Sequence, residues 1–418
     1  MTTGTELLEG LNPAQKEAVE TVDGPLLIVA GPGSGKTRVI THRIAYLVRE
    51  YGVSPYNILA MTFTNKAAKE MRERLDRLVG SRSDLLTVGT FHAFCAKLLR
   101  WEGHHLGLNS NYSIYDSDDQ TTILKQSMEL AETDPKRYPP RAVGSVISKA
   151  KSQLWDAAVF AKNAQNTDDY FEEVTSKVYR HYEELMGRNN ALDFDDLLMK
   201  AVQLLEAFPE VKKKYQDRYQ FIMVDEFQDT NIAQYRLARL LGEGHQNICV
   251  VGDPDQSIYS WRAADIRNIL SFQQDYPGSK TIALDQNYRS TATILDAAKN
   301  LISVNGQRIQ KDLFTDNSKG SPVEVREAYD EGEEASFVIA EAGRLVREEG
   351  FKAGDCAVMY RINAQSRALE EACLHRGTKY RLVGGVRFYQ RREVKDLMAY
   401  LHLVYNPQDD INLGLVIS

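Results

Sequence analysis

The stretch Ala30-Gly31-Pro32-Gly33-Ser34-Gly35-Lys36-Thr37 decides the fold of this 418-residue chain. It follows the apolar run Leu26–Val29, which is typical of a buried strand, and it opens a helical pattern whose apolar residues between Val39 and Val48 fall on one face. A glycine-rich turn that ends in Lys-Thr between a strand and a helix predicts a phosphate-binding loop, because backbone N–H groups and the helix N-terminus surround the phosphate. One departure is visible, since the general pattern begins with glycine and this chain has Ala30.

The two polar residues that end the loop predict a nucleoside triphosphate with its metal ion. Lys36 is expected to reach the β- and γ-phosphates, and the Thr37 hydroxyl is expected to hold Mg²⁺. The alternative is a tight strand-to-helix turn that binds nothing. The predicted nucleotide-binding residues of this segment are Gly31, Gly33, Ser34, Gly35, Lys36, Thr37 and Arg38.

Composition limits the class of protein without naming a function. With 43% hydrophobic and 26% charged residues, the chain is expected to be globular, cytoplasmic and divided into several domains. No apolar run approaches the roughly 18 residues that cross a membrane, and the four cysteines form no CxxC pair that would indicate zinc. The net charge is −7, so any contact with a polyanion must come from a local groove.

Short apolar runs alternate with helical patterns along most of the chain. Six of these runs are predicted to be strands: Leu26–Val29, Ile58–Thr64, Leu86–Thr90, Phe221–Asp225, Ile248–Gly252 and Thr281–Leu284. Alternation of this kind predicts an α/β fold with a parallel sheet covered on both faces. Ligands in such folds bind beyond the carboxyl ends of the strands.

The segment Asp116–Met186 interrupts the alternation, because it reads as helices broken by the loop Pro135–Pro140. Turn-rich sequence flanks it on both sides, which indicates an inserted helical domain whose two connections lie side by side. We expect a first α/β domain from residues 1–111 and 191–285, with an all-helical subdomain inserted at 112–190.

A second α/β domain is predicted after this core, at residues 286–390, followed by the start of a helical subdomain at 391–418. Three runs in this part have strand character and three have helix character. The predicted strands are Val323–Arg326, Ala357–Tyr360 and Tyr380–Val383, and the predicted helices are Glu334–Arg347, Ser366–His375 and Arg391–Tyr405. No domain is evidently finished at Ser418, so we expect a truncated form of a longer protein.

Two carboxylates, Asp225 and Glu226, follow the predicted strand that begins at Phe221. An aspartate in this position can hold Mg²⁺, commonly through water. The adjacent glutamate could polarise the water that attacks a γ-phosphate. The alternative is a pair of solvated carboxylates at a strand end, which the phosphate loop in the same predicted sheet disfavours.

The segment Val250–Arg262 places a glutamine and three flat side chains directly after another predicted strand. Gln256 could report whether a γ-phosphate is present. Tyr259, Trp261 and Arg262 could stack on unpaired bases, each stack being worth roughly 1–3 kcal/mol. The alternative for such an aromatic cluster is packing in the core.

At the end of the last strand of the predicted sheet, Tyr288 and Arg289 stand side by side. Arg289 suits stabilisation of a γ-phosphate, and Tyr288 could stack on adenine. The alternative for Arg289 is an ordinary salt bridge.

Taken in order, these motifs resemble the superfamily 1A DNA helicases of the UvrD, PcrA and Rep group, over about residues 11–410. The motifs that carry the resemblance are Gln15, GPGSGKT at 31–37, TFTNKAA at 62–68, TFH at 90–92, DEFQDT at 225–230, GDPDQSIYSWR at 252–262 and QNYRS at 286–290. The resemblance implies a RecA-like motor with an inserted helical subdomain. It also implies ATP-dependent 3′–5′ translocation and duplex unwinding in DNA repair or replication.

By position, the resemblance assigns a role to each matching residue. For the nucleotide, the resemblance implies that Gln15 recognises the adenine edge and that Tyr288 contacts the adenine. It implies that Lys36, Thr37 and Asp225 bind MgATP. It also implies that Glu226 is the catalytic base and that Gln256 and Arg289 contact the γ-phosphate. For DNA, it implies a track of Phe63, Thr64, Asn65, Thr90, His92, Tyr259, Trp261, Arg262 and Asn363. For His92 alone, a satisfied core histidine is the alternative.

The partners implied are single-stranded DNA, single/double-strand junctions and other repair or replication proteins, with no membrane. Two further helicase motifs and a second arginine that the family carries are not in this sequence, so weak hydrolysis is expected. Three rival functions stay open: a DNA-binding ATPase that never unwinds, the motor subunit of a helicase–nuclease, and a P-loop GTPase.

Overall fold

The computed structural model describes residues 4–166, 169–306, 308–309, 311–383 and 392–417. The chain forms two compact units. The first contains Met1–Gly320 and Asp396–Ser418, and the second contains Ser321–Lys395.

A six-stranded, all-parallel sheet forms the centre of the first unit, in the order β3-β2-β6-β7-β1-β8. The strands of this unit are β1 (Leu26–Ala30), β2 (Ile58–Thr62), β3 (Thr87–Thr90), β4 (Ser113–Ile114), β5 (Ala191–Leu192), β6 (Phe221–Val224), β7 (Ile248–Gly252) and β8 (Lys280–Leu284). All six strands predicted for this part of the chain are confirmed, each to within two residues at its ends. In the register of the sheet, Leu26 of β1 lies between Cys249 of β7 and Lys280 of β8.

Both faces of this sheet are covered. Successive residues of β1 belong alternately to two apolar clusters, since Leu27 packs in one cluster and Leu26 and Ile28 pack in the other. Because neither face meets water, β1, β2, β6 and β7 are buried along their whole length. This explains why they read as continuous apolar runs and not as alternating patterns.

Helices connect the strands and cover the sheet. In the first 320 residues they are α1 (Gly4–Leu8), α2 (Pro13–Glu20), α3 (Lys36–Arg49), α4 (Asn65–Val79), α5 (Phe91–Glu102), α6 (Ser117–Leu130), α7 (Pro140–Ser152), α8 (Ala157–Ala164), α9 (Tyr170–Arg188), α10 (Phe194–Ala207), α11 (Pro209–Arg218), α12 (Ile232–Gly242), α13 (Arg267–Leu270), α14 (Phe272–Asp275) and α15 (Ala292–Ile302). The later helices are α16 (Glu331–Glu348), α17 (Ser366–His375), α18 (Arg392–Tyr405) and α19 (Asp410–Ile417). Within the ranges described, no helix combines the length and the apolar character needed to cross a membrane.

Helices α6 to α9 have an apolar cluster of their own, separate from the two clusters on the sheet. It contains Ile123, Ile147, Phe160 and Val178. The segments that enter and leave this helical group pair as the parallel strands β4 and β5, with Ser113 opposite Ala191. The two connections therefore lie side by side.

The second unit contains α16 and α17, which pack through a small apolar cluster that includes Ile339 and Cys373. The three predicted strands of this part, at 323–326, 357–360 and 380–383, are wrong, since none of these described residues is in a strand. Val325, Met359 and Val383 are exposed. An apolar run becomes a strand only where a neighbouring strand accepts its backbone hydrogen bonds, and no such bond joins these three runs. The predicted helix at 391–405 is found from Arg392, and Arg391 lies outside the described residues.

Candidate functional site

The loops that follow the six parallel strands all lie at one edge of the sheet. Four neighbouring strands carry the predicted nucleotide residues: Gly31–Thr37 after β1, Asp225 and Glu226 after β6, Asp253–Gln256 after β7, and Asp285–Arg289 after β8. The two strands at the other side of the sheet, β2 and β3, carry Phe63 and His92. Parallel pairing therefore brings together residues as far apart in sequence as Gly31 and Arg289.

The loop after β1 is held in shape by hydrogen bonds from inside and from outside. Within it, the buried Ser34 hydroxyl donates to the Gly31 carbonyl at 2.8 Å. From the loop after β8, Asn287 Nδ2 donates to the Pro32 carbonyl at 2.6 Å, and the Tyr288 N–H donates to the Gly33 carbonyl at 3.0 Å. These hydrogen bonds fix the position of the loop.

Two glycines of the loop leave no space for a side chain. Gly33 has φ of +66°, and a Cβ there would lie 2.7 Å from Arg289 Cβ. At Gly31 a Cβ would collide with the Leu313 side chain. Gly35, with φ of +92°, stands immediately before α3 and directs the N-terminus of this helix toward the loop.

Asn12 forms hydrogen bonds with both Gln15 and Tyr288 at one corner of this loop. Gln15 is buried, and its Nε2 donates to the Ser34 carbonyl at 2.8 Å. Asn12 Nδ2, at the start of α2, donates to the Tyr288 hydroxyl at 2.9 Å, and this hydroxyl donates to Gln286 Oε1 at 2.7 Å. The Gln15 amide is held at both ends, since its Oε1 also accepts the Asn12 N–H at 3.1 Å, whereas the Tyr288 ring is partly exposed and provides the flat surface of this corner.

The carboxylate pair faces the lysine of the loop. Lys36 Nζ lies 3.4 Å from Glu226 Oε2. Asp225 is buried at the end of β6, and burial, followed by the charge of Glu226, raises the pKa of its carboxyl group to about 7. Asp225, directly after β6, and Thr37, in the first turn of α3, carry oxygen atoms of the kind that Mg²⁺ takes as ligands in proteins.

Gln228 connects the ends of β6 and β7, although no role was predicted for it. Its Nε2 donates to Glu226 Oε2 at 3.0 Å, and its Oε1 accepts the Asp253 N–H at 2.9 Å. Glu226 itself has left-handed backbone geometry, with φ of +51°. Nothing in the letters DEFQD indicates a contact between β6 and β7, because that contact depends on the order of strands in the sheet.

Gln256 is hydrogen-bonded to a member of a buried ion pair. Its Nε2 donates to Asp253 Oδ2 at 2.6 Å. Asp253 pairs in turn with the buried Lys311, which also lies 3.0 Å from Asp255. Lys311 is a single lysine in a polar stretch, and nothing in the sequence around it indicates an ion pair with Asp253.

Aromatic side chains from two distant loops stack at the same edge. The rings of Phe63 and Tyr259 are 5.0 Å apart with an angle of 28° between their planes. The ring centroids of Trp261 and Tyr259 are 6.0 Å apart. Trp261 is 70% exposed, so it is not a core residue. The Arg262 side chain lies outside the described residues.

A second aromatic contact joins His92 to Phe194, which was not singled out in the sequence. Their rings meet edge to face, 5.7 Å apart, and Phe194 is 49% exposed. Burial lowers the pKa of His92 to about 4, so its ring is neutral near pH 7. Phe194 sits in the run LDFDDLL, where a single aromatic residue between two aspartates does not by itself indicate a contact with His92.

The remaining predicted residues are distributed as follows. Thr64 and Thr90 cap α4 and α5, since their hydroxyls accept the N–H groups of Ala67 and Ala93. Asn65 and Arg38 are exposed in the first turns of α4 and α3, and Arg289 is exposed beside Gly33. Asn363 belongs to the second unit, where it is exposed at the start of a short 3₁₀ helix.

Comparison with known proteins gives consistent matches along the whole chain. Residues 11–277 match the UvrD/REP helicase N-terminal domain, and residues 282–418 match the UvrD-like helicase C-terminal domain. The chain is 48% identical over 413 residues to the ATP-dependent DNA helicase PcrA of Bacillus subtilis and 49% identical over 412 residues to the protein of the same name from Staphylococcus aureus. These alignments cover 99% of this chain and 56% of each relative, so the chain spans about half the length of the curated relatives it matches.

Proposed function

Because this chain belongs to the UvrD/PcrA/Rep family of superfamily 1A helicases, we propose that it forms the nucleotide- and DNA-binding part of an ATP-dependent DNA helicase. In this proposal the enzyme moves 3′ to 5′ on single-stranded DNA and couples MgATP hydrolysis to unwinding in repair or replication. One observation carries it: a single sheet edge presents a phosphate loop, a carboxylate pair and stacked, partly exposed aromatic rings.

The geometry around the phosphate loop supports the nucleotide half of the proposed site. Lys36 and the start of α3 bind the phosphates, while the corner at Gln15 and Tyr288 receives the adenine. Thr37 and Asp225 would hold Mg²⁺, which when bound neutralises charge on the β- and γ-phosphate oxygens.

Hydrolysis is proposed to depend on Glu226 as the general base that orients and deprotonates the attacking water. Gln228 fixes this carboxylate through its 3.0 Å hydrogen bond. Gln256 and Arg289 would contact the γ-phosphate from the loops after β7 and β8. An arginine in this role stabilises the negative charge that develops during phosphoryl transfer.

The DNA half of the site uses flat rings and not an overall positive charge. Phe63, Tyr259 and Trp261 form one stacking surface, and His92 with Phe194 forms another on the neighbouring strand end. Stacking tolerates every base, so a sequence-independent track is expected. The remaining residues proposed for this track are Thr64, Asn65, Thr90, Arg262 and Asn363.

The segment from Asp253 to Trp261 connects the two halves. It carries Gln256 at one end and the aromatic rings at the other, and Gln228 links it to Glu226. A change at the γ-phosphate can therefore be transmitted to the stacking surface through the hydrogen bonds of Gln228 and the short segment from Asp253 to Trp261.

We propose a corresponding division of the chain into functional domains. Residues 1–111 and 191–285 form the motor domain, and residues 112–190 form the inserted subdomain. Residues 286–390 form part of a second motor domain, and residues 391–418 form the start of a further helical subdomain. In this proposal the protein acts in the cytoplasm. Its substrates are single-stranded DNA and single/double-strand junctions, and its partners are other repair or replication proteins.

The test of the chemistry is Glu226→Gln, measured as MgATP binding and as ATP turnover with and without single-stranded DNA. Binding should persist while DNA-stimulated turnover falls at least about 100-fold, the usual scale for loss of a general base. Glu243→Gln is the matched control, because it removes one exposed carboxylate that pairs with Lys212 at 3.2 Å. Normal turnover in Glu226→Gln would remove Glu226 as the base.

The test of the motor is strand separation on duplexes with a 3′ or a 5′ single-stranded tail, using the protein that contains this chain. We expect separation of the 3′-tailed duplex alone. Turnover stimulated by DNA without separation of strands would leave a DNA-dependent ATPase, and degradation of the strands would indicate a helicase–nuclease.

A further inference from the structure

Lys151 is a fully buried cation near the C-terminal end of α7, in the helical group that interrupts the sheet. Its Nζ donates to Asp193 Oδ2 at 2.7 Å and to Asp196 Oδ1 at 2.8 Å. The Tyr182 hydroxyl, from α9, donates to the same Asp193 oxygen at 2.9 Å. Three helices, α7, α9 and α10, therefore meet at one charged centre.

The two aspartates also start α10. Asp193 Oδ1 accepts the Asp196 N–H at 2.7 Å, and Asp196 Oδ2 accepts the Asp193 N–H at 3.1 Å, which is a reciprocal cap. Each carboxylate thus uses one oxygen for the helix start and the other for Lys151. The cap and the ion pairs fix the same turn of backbone from opposite sides.

Phe194 is the first residue of this fixed turn. It stands between the two aspartates in sequence, yet its ring points out of the cluster, where it contacts His92 and stays half exposed. Lys151 and Phe194 do not need to touch for one to control the other. The position of the ring follows from the position of the turn.

Stability alone does not account for this cluster. Burial acts to lower the pKa of Lys151, but the adjacent Asp193 and Asp196 charges outweigh it and hold this pKa well above its usual range, so the lysine is a cation. Buried ion pairs commonly stabilise a fold no more than apolar residues of the same size, whereas they do impose one geometry. A role in placing the turn that carries Phe194 fits that property.

We propose that Lys151 is a positioning residue for single-stranded DNA binding, because its ion pairs with Asp193 and Asp196 hold the first turn of α10 and so hold the Phe194 ring at the DNA surface. This inference rests on the proposed function, and it assigns the inserted helices a part in shaping the DNA track. The chemistry recognised is an unpaired base that stacks on Phe194.

The test is a double-mutant cycle on the affinity of this chain for a fluorescent oligo(dT), with Lys151→Met and Phe194→Ala. Phe194→Ala should weaken binding roughly 5- to 150-fold, the loss of one stack. Lys151→Met should weaken it by a comparable factor in the wild-type background. In the Phe194→Ala background, Lys151→Met should have almost no further effect, because the residue it positions is gone.

Further variants separate positioning from general damage. In a Trp261→Ala background the effect of Lys151→Met should persist in full, since Trp261 lies on a different loop. Tyr182→Phe, which removes one hydrogen bond to Asp193 and keeps the ring, should give a smaller loss that also vanishes with Phe194→Ala. If Lys151→Met does not fold, Tyr182→Phe takes its place in the double-mutant cycle. Lys177→Met removes an exposed cation of α9 that pairs with Glu173 and should leave affinity within about twofold.

Two outcomes would overturn the inference. Unchanged affinity in folded Lys151→Met and Tyr182→Phe would show that the cluster does not position the ring, and an equal loss with and without Phe194 would show that it acts elsewhere. If Trp261→Ala weakens binding and Phe194→Ala does not, the inference fails while the proposed function stands. If neither aromatic variant weakens binding, the proposed DNA surface fails as well.

Discussion

The Lys36 ammonium group lies 3.4 Å from the Glu226 carboxylate, so the cation of the phosphate loop and the proposed base form an ion pair. Both groups are needed for different steps. Lys36 must turn toward the phosphates, and Glu226 must then be free to face water. Nucleotide binding therefore replaces one partner of Lys36 with another.

From this ion pair we expect Glu226→Gln to bind MgATP more tightly than the wild type. The gain should be small, up to about fivefold, because a partly exposed ion pair contributes no more than about 1 kcal/mol. Lys36→Met should instead abolish detectable binding. Titration with a fluorescent ATP analogue checks both variants, and weaker binding by Glu226→Gln would contradict the competition between the two partners.

Asp225→Asn is expected to stabilise the metal-free protein at high pH. The pKa of Asp225 is raised from its ordinary value of 3.8 to about 7, chiefly by burial and then by Glu226. A raised carboxyl pKa means that ionisation costs the folded state, and this cost grows as the pH rises from about 4 to about 7. The full cost is up to about 4 kcal/mol.

Urea unfolding without Mg²⁺ measures this effect. The free energy of unfolding of Asp225→Asn should exceed that of the wild type by a few kcal/mol at pH 8 and by less at pH 5. Asp217→Asn, which alters an exposed carboxylate paired with Lys213, should show no such growth. In the wild type, affinity for MgATP should rise through about pH 7 as Asp225 ionises, provided that Asp225 holds the metal.

Gly33→Ala should damage the phosphate loop more than its backbone strain alone explains. Gly33 and Gly107 have similar left-handed φ angles, +66° and +76°, but only at Gly33 would a Cβ meet other atoms within 4 Å. Gly107→Ala should therefore cost about 1 kcal/mol of unfolding free energy. Gly33→Ala should cost about 1–2 kcal/mol more and weaken MgATP binding at least about tenfold. Equal effects of the two variants on stability and on nucleotide affinity would contradict the close approach of Arg289.

His92 is expected to make the protein less stable in mild acid. Burial lowers its pKa from 6.5 to about 4, so below pH 6.5 the unfolded chain takes up a proton that the folded chain refuses. The contribution of His92 to the free energy of unfolding is thus complete above pH 6.5 and is lost as the pH falls toward 4, by up to about 3 kcal/mol. Melting curves of His92→Gln should lose that part of the pH dependence, whereas His245→Gln, at an exposed position, should keep it.

Four strands of the first unit, β1, β2, β6 and β7, could be predicted because each is an apolar run buried on both faces. Such a run has one stable environment, the interior of a covered parallel sheet. The runs at 323–326, 357–360 and 380–383 show the limit of this reasoning. Their residue types favour strands, but a strand also needs a neighbour for its backbone, and the sequence does not say whether one is present.

The sequence by itself determined the phosphate loop, because its glycines, lysine and threonine act through local backbone geometry that a few adjacent residues specify. It also determined which strand ends carry carboxylates and aromatic residues. Only the tertiary structure decided the partners: Phe63 with Tyr259, Gln228 with Asp253, Lys311 with Asp253, and Lys151 with Asp193. These contacts join residues far apart in the chain or on different elements. They form through the order of strands in the sheet and the packing of helices on one another, which no local pattern records.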